Sequence, residues 1–213
     1  MLLVQRPTKI CPPQPPRRPS SNIWHSLSFV VLSLMLTGYS WGTELGSVKV
    51  EVSRQEQTLQ IRGRYQVAAN PDQVFAVLTD YERMQQFVPG LLSSKVLARE
   101  GKVLRLQQQS RHQLGPFSVV ADSISRIELR APEEILCQSL QNSQGEFNSS
   151  TRIQGLGERS EVIFEASWRP TNSVLLNLGS SAVRARVQEQ LASMQQEIQR
   201  RYPPLSQLQA KAP

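Results

Sequence analysis

The chain of 213 residues is 39% hydrophobic and 19% charged, and 24 Lys and Arg against 17 Asp and Glu give it a net charge of +7. Residues 1–42 hold four of these cations and no acidic residue, which leaves 20 cations against 17 acidic residues in the remaining chain. A charge of about +3 there argues against the clustered basic face that nucleic-acid binding needs, so no nucleic-acid partner is expected.

The histidines and cysteines are too few for several kinds of catalytic site. After residue 42 the sequence keeps His112 and Cys137 alone, whereas a Cys/His zinc site needs three or four ligands. A phosphate-binding P-loop and a GxGxxG motif are missing from the sequence, and residues 43–213 contain no GxSxG nucleophile turn. These motifs are the signals of nucleotide sites and serine hydrolases. We therefore expect no metal and no cofactor.

The first 42 residues predict an export segment. A proline-rich basic start precedes the ten-residue apolar run Leu27–Leu36, and small polar residues follow it. This is the layout of a secretory signal peptide, and the run is shorter than the ~20 apolar residues of a spanning helix. We expect a cleaved signal, with an uncleaved anchor, a transit peptide or a misplaced start as alternatives. The domain over residues 43–202 would then lie in the periplasm or a lumen, or be membrane-anchored and face outward.

The domain begins with two alternating strands and two short helices. Val48, Val50 and Val52 alternate with polar residues, and the stretch from Leu59 to Val67 does the same, which predicts two half-buried strands. Asn70, followed by Pro, Asp and Gln, predicts a helix N-terminus with Asn as the cap. Asp80 is predicted to cap a second short helix, which ends at Pro89-Gly90.

About five further strands and one long helix follow. The predicted strands cover residues 96–97, 103–112, 117–130 and 135–141, and two more alternate around residues 147–153 and 162–168. Short connections between them favour antiparallel pairing. From Val174 the apolar period changes to about 3.6 and continues to Ile198, before Pro203-Pro204, which predicts a long amphipathic helix. The fold class is therefore α+β. Residues 203–213 are expected to form a flexible tail.

This order of elements resembles the START-like helix-grip (SRPBCC) superfamily, and within it the polyketide cyclase/dehydrase and coenzyme Q-binding group. The resemblance depends on residues 70–82 (NPDQVFAVLTDYE), on Phe87-Val88-Pro89 and residues 93–97 (SSKVL), and on the long terminal helix. It covers Val48–Tyr202. It implies a helix-grip fold, in which a curved antiparallel sheet wraps around the C-terminal helix and leaves a cavity for a hydrophobic ligand.

Candidate ligand-binding residues come from the strand faces and the helix stripe. Polar residues on an otherwise apolar strand face, such as Gln108 and Ser110 beyond Leu104 and Leu106, are the kind of group that orients a small ligand. Cys137 is interpreted as a small apolar filler. The candidate set is Tyr65, Phe87, Leu104, Leu106, Gln108, Ser110, Phe117, Val119, Phe147, Ser149, Thr151, Phe164, Trp168, Leu178, Val183 and Val187.

Three functions remain open at this stage. The first is binding or transport of a hydrophobic molecule, such as a quinone, an isoprenoid or another lipid. The second is a cyclase/dehydratase-type enzyme, for which His112, Tyr65 and Asp122 are weak candidates because general acid–base catalysis needs positioned titratable groups. The third is an interaction module without a ligand at a membrane surface. A monomer is expected, and contact with a membrane surface is a further candidate property.

Overall fold

The computed structural model describes residues 46–114, 117–171, 176 and 180–204, without the side chains of residues 112, 114 and 117. The predicted export segment and most of the predicted tail lie outside these residues, so both stay predictions. No helix in the described part of the chain combines the length and the apolar composition that crossing a membrane requires.

The described residues form an eight-stranded sheet in which every neighbouring pair is antiparallel. In space the order is β1-β2-β8-β7-β6-β5-β4-β3. Six strands follow the short helices, one at each of the six segments that alternation predicts. The strands are β1 (Lys49–Gln55), β2 (Thr58–Val67), β3 (Leu91–Glu100), β4 (Val103–Leu114), β5 (Phe117–Arg130), β6 (Glu134–Asn142), β7 (Gly145–Leu156) and β8 (Arg159–Pro170).

Side-chain alternation divides the sheet into an inner face, turned toward the C-terminal helix, and an outer face. On β2, Leu59, Ile61 and Tyr65 are buried, whereas Arg62 and Arg64 between them are exposed. The same period continues across the sheet because antiparallel pairing places side chains of one face opposite each other. The inner face therefore carries the core, and the outer face carries most of the charge.

Helix α1 (Pro71–Leu78) begins as the sequence predicts. The Asn70 side chain accepts a hydrogen bond from the Gln73 backbone N–H at 3.0 Å, and the Asn70 N–H donates to Gln73 Oε1 at 3.1 Å. These two bonds form a capping box, which satisfies helix donors that would otherwise lack partners. Val74 and Val77 are fully buried on its inner side, so α1 closes one end of the core.

The second short helix is a 3₁₀ helix (Tyr81–Gln86), and Asp80 precedes it without capping it through its side chain. The predicted capping role of Asp80 is therefore wrong. Its carboxylate instead accepts hydrogen bonds from Arg201 Nη1 at 2.7 Å and from Arg83 Nε at 3.2 Å. Two cations within hydrogen-bond distance hold the carboxylate away from the helix start.

Helix α2 (Ser180–Arg201) lies against β1, β2 and α1. Ile198 is fully buried and Leu191 is 6% exposed, and such burial contributes about 1.5–3 kcal/mol for each side chain. Gly63 of β2 lies beneath Leu191, whose Cδ1 would overlap any Cβ at that position. Gln195 Nε2 donates to the Gln66 carbonyl at 2.9 Å. The glycine thus permits a close approach of the helix to the strand.

Candidate functional site

The inner face of β4 to β7 combines apolar residues with uncharged polar ones. Register places Leu104 opposite Ile127, Ile127 opposite Cys137, and Cys137 opposite Ser149. Leu104 and Ile127 are buried, whereas Cys137 and Ser149 are half-buried. This row of side chains begins in the buried core and ends at half-buried positions. In such an environment a few polar groups can orient an apolar ligand.

Cys137 lies at the centre of a small polar cluster. Its thiol has hydrogen-bond contacts with Ser125 of β5 and Ser149 of β7. Burial raises the pKa of the Cys137 thiol, and the two serine contacts oppose this effect without cancelling it. The thiol therefore stays protonated near neutral pH and acts as a weak hydrogen-bonding group rather than a nucleophile.

A second polar group lies on the inner face between β3 and β5. Gln108 Nε2 donates to Ser94 Oγ at 3.2 Å, and Ser123 Oγ donates to the Gln108 carbonyl at 3.4 Å. Gln108 and Ser123 are half-buried, and Ser94 is 9% exposed. Part of the hydrogen-bonding capacity of Gln108 is thus used within the sheet.

Two phenols lie inside the core. Tyr65 of β2 is 3% exposed, and its hydroxyl has no hydrogen-bond partner among the described residues. Tyr81 of the 3₁₀ helix is 6% exposed. Burial raises the pKa of both phenols, and the nearby Cys137 raises that of Tyr81 further. Both tyrosines therefore remain neutral at ordinary pH.

An open depression of about 1150 Å³ crosses the sheet from β1 to β5. Residues from both sheet faces line it, because successive residues of a strand alternate in direction. Its inner-face lining residues are Val52, Ile61, Cys137, Ser149 and Ala166, and Arg184 of α2 also contributes. The volume exceeds the roughly 300–1,000 Å³ of small-molecule pockets. Most of the lining is polar, and its charged outer-face residues are Glu51, Arg62, Arg126, Glu128 and Glu165.

Ser149 is the predicted ligand-binding residue that lines this depression. Most of the other candidates pack in the apolar core of the inner face. Tyr65, Leu104 and Leu106 are buried there, and the candidates packed against the two core clusters as half-buried side chains are Phe87, Phe147, Phe164, Trp168, Val183 and Val187. Gln108, Ser110, Val119 and Thr151 are half-buried residues of β4, β5 and β7.

Several candidate residues have no described side chain, and one lies on the outer face of the sheet. Leu178 is outside the described residues, as are the side chains of Phe117 and His112. Asp122 is exposed and accepts a hydrogen bond from Gln109 Nε2 at 2.9 Å. Because its neighbour Ala121 is buried, Asp122 belongs to the outer face. Asp122 therefore does not face the site where it was considered as a catalytic candidate.

Sequence reasoning missed the apolar residues that line the depression and the polar contacts of Cys137. Val52, Ile61 and Ala166 were part of alternating patterns and were treated as core alone. The sequence does show serines on both predicted strands that neighbour the strand of Cys137. The pairing register that brings Ser125 and Ser149 beside Cys137 was not available from the sequence.

An ion cluster links the C-terminal end of α2 to Asp80, the residue before the 3₁₀ helix. Arg201 contacts both Asp80 and Glu197 at 2.7 Å, and Arg200 contacts Glu197 at 2.7 Å. The hydrogen bond from Arg200 is the largest of the effects that lower the pKa of Glu197 to about 2. Burial opposes ionisation of Asp80, but the hydrogen bonds from Arg201 and Arg83 outweigh it, so the pKa of Asp80 lies below its ordinary value.

Comparison with known families gives one match over most of the described domain. A family model described as polyketide cyclase/dehydrase and lipid transport matches residues 67–195. No curated relative matches the sequence.

Solved structures with the same fold come from several bacteria. A STAR-related lipid transfer protein from Xanthomonas axonopodis superposes with a TM-score of 0.61 and 14% identity, covering 72% of this chain and 94% of that one. The Zhui aromatase/cyclase from Streptomyces sp. R1128 gives 0.60 and 15%, covering 68% and 95%. A Thermus thermophilus protein gives 0.58 and 16%, covering 72% and 99%. At these identities the likeness shows the fold, and this fold is the expected START-like helix-grip architecture.

Proposed function

Since the chain belongs to the polyketide cyclase/dehydrase and lipid transport family, we propose that it binds a hydrophobic small molecule, such as a quinone, an isoprenoid or another lipid, and carries it without converting it. The ligand would lie against the inner face of the sheet, beside α2. Its apolar part would contact Val52, Ile61 and Ala166, and a polar end would face the Cys137 cluster.

The chemistry of the inner face is the observation that carries this proposal. Its titratable groups include Tyr65, Tyr81 and Cys137, and burial raises the pKa of all three. A general base needs a pKa near the operating pH, which these groups lack. Groups that stay neutral can orient a ligand by hydrogen bonds, and the low polarity around them favours an uncharged molecule.

A cyclase/dehydratase-type reaction is the second candidate. The observation that favours it is the buried Tyr65 hydroxyl without a partner, since a neutral phenol can donate a hydrogen bond or a proton to a carbonyl oxygen. The similar fold of an aromatase/cyclase is consistent with this reaction. A ligand-free interaction module at a membrane surface is the third candidate, and an occupied site would exclude it.

Native mass spectrometry of the protein purified from its own host, with organic extraction of bound material, tests the proposal. We expect a stoichiometric adduct that extraction identifies as an uncharged hydrophobic molecule. Ser149→Trp would fill the depression and should abolish the adduct, whereas Ser118→Trp, at an exposed position of β5, should retain it. Circular dichroism of both variants would show that each is folded.

Two results would count against a carrier. An apo mass after incubation with host membrane extract would contradict binding. Conversion of an extracted or added aromatic substrate, lost in Tyr65→Phe while binding is kept, would replace the carrier function with the enzymatic one.

A further inference from the structure

Large hydrophobic residues are exposed on the half of the sheet that β3 to β6 form. Among the described residues, five large hydrophobic side chains are exposed, and four of them belong to β3, β5 and β6: Leu92, Leu97, Val120 and Leu140, at 38–47% exposure. The fifth, Leu156, is 51% exposed and lies at the end of β7. Scattered exposed leucines are ordinary, but several large apolar side chains on one part of a sheet indicate an interaction surface.

Cations without carboxylate partners lie among these side chains. Lys95, Arg105 and Arg111 are exposed, and none of them forms an ion pair with a carboxylate in the described part of the chain. Two cations elsewhere on the outer face, Arg62 and Arg152, both pair with Glu165, at 3.1 and 2.9 Å. These three cations therefore have no direct ion pair, and the acidic residues in the same region include Glu100 and Asp122.

Strand register brings the two kinds of residue together. Arg111 is opposite Val120, and Arg105 is opposite Ala98, the residue after Leu97. A shallow hollow of about 200 Å³ is lined by Ala98, Arg105 and Leu140, among others. We call the surface formed by Leu92, Leu97, Val120 and Leu140 with Lys95, Arg105 and Arg111 the β3–β5 patch.

An anionic lipid surface fits the β3–β5 patch better than a second copy of the chain. Apolar side chains flanked by cations match the lipid interface, where each Lys or Arg near an anionic membrane contributes about 1 kcal/mol. A second copy would present the same unpaired cations, and like charges opposed across an interface repel. We propose that the β3–β5 patch docks on anionic membranes, with its leucines entering the interfacial region.

Tryptophan replacement at two exposed leucines tests this docking in the full chain. Leu97→Trp places the probe in the β3–β5 patch, and Leu156→Trp is the matched control outside it. Vesicles of phosphatidylglycerol should shift the emission of Leu97→Trp to the blue, after subtraction of the wild-type spectrum, and brominated phosphatidylglycerol should quench it. Leu156→Trp should show neither change. This comparison holds even where residues 1–42 themselves contact the vesicle, because both variants share them.

Charge and lipid controls complete the test. Phosphatidylcholine vesicles should give little shift, and Lys95→Gln in the Leu97→Trp chain should raise the half-saturating lipid concentration about five-fold, the equivalent of about 1 kcal/mol. Arg62→Gln, which removes a cation already paired with Glu165, should leave the half-saturating lipid concentration unchanged. Equal responses of the two tryptophan variants, or none, would overturn the proposal. A concentration-dependent blue shift of Leu97→Trp without vesicles would show self-association instead.

Discussion

Replacing Tyr65 by Phe should stabilise the protein, although Tyr65 is a buried core residue. Its hydroxyl is buried without a hydrogen-bond partner among the described residues, and such a group costs about 1–3 kcal/mol. Phe keeps the ring contacts, and the small void left by one oxygen atom costs a few tenths of a kcal/mol at ~24 cal/mol per Å³. We therefore expect a net gain of about 1–2 kcal/mol in the free energy of unfolding, or about 2–8 °C in Tm.

Urea unfolding of the ligand-free protein, followed by circular dichroism, measures this gain, and Ser160→Ala is the matched control. Ser160 is fully buried, and its hydroxyl donates to the Ala69 carbonyl at 2.7 Å, so its removal should destabilise by about 1–3 kcal/mol. If Tyr65→Phe lost as much stability as Ser160→Ala, the Tyr65 hydroxyl would have a partner and the reasoning would be refuted.

Two further predictions concern the ion cluster and a hairpin turn. The pKa of Glu197 is lowered from 4.5 to about 2, so its contribution to stability is complete above about pH 4.5 and is lost as the pH falls toward 2. Tm measured over this range should fall less in Glu197→Gln than in the wild type. Equal slopes of Tm against pH in the two proteins would contradict the assignment. Gly145→Ala should lower the free energy of unfolding by about 2–4 kcal/mol, because Gly145 has φ 115° and a Cβ would overlap the Arg169 carbonyl. Gly157→Ala, at φ 70° with open space around it, should cost only about 1–2 kcal/mol, and a similar loss in both variants would refute the steric argument.

Elements specified by local patterns were predictable from the sequence. The bounds of β5, Phe117–Arg130, match the prediction, and the capping box at Asn70 has the predicted partners. In both cases the signals lie within a few residues of each other, as alternation or as a cap at fixed spacing. The family resemblance then supplied the arrangement of these elements around the terminal helix.

Features that depend on distant residues were not predictable. Asp80 matches a helix cap locally, but Arg201, 121 positions later, binds its carboxylate instead. The polar cluster at Cys137 depends on the register of three strands, which the sequence does not state. Asp122 is different, because alternation with the buried Ala121 was visible from the start and would have placed it on the outer face.

The two edges of the sheet differ in their capacity to recruit another strand. β3 has register shifts at Leu91/Ser93 and at Val96/Ala98, whereas the pairing of β1 with β2 continues without interruption from Lys49 to Gln55. Irregular edges resist intermolecular pairing, and regular ones permit it unless charged side chains prevent it. Under destabilising conditions, aggregation by strand addition would therefore begin at β1, where Lys49, Glu51 and Arg54 are the residues that oppose it.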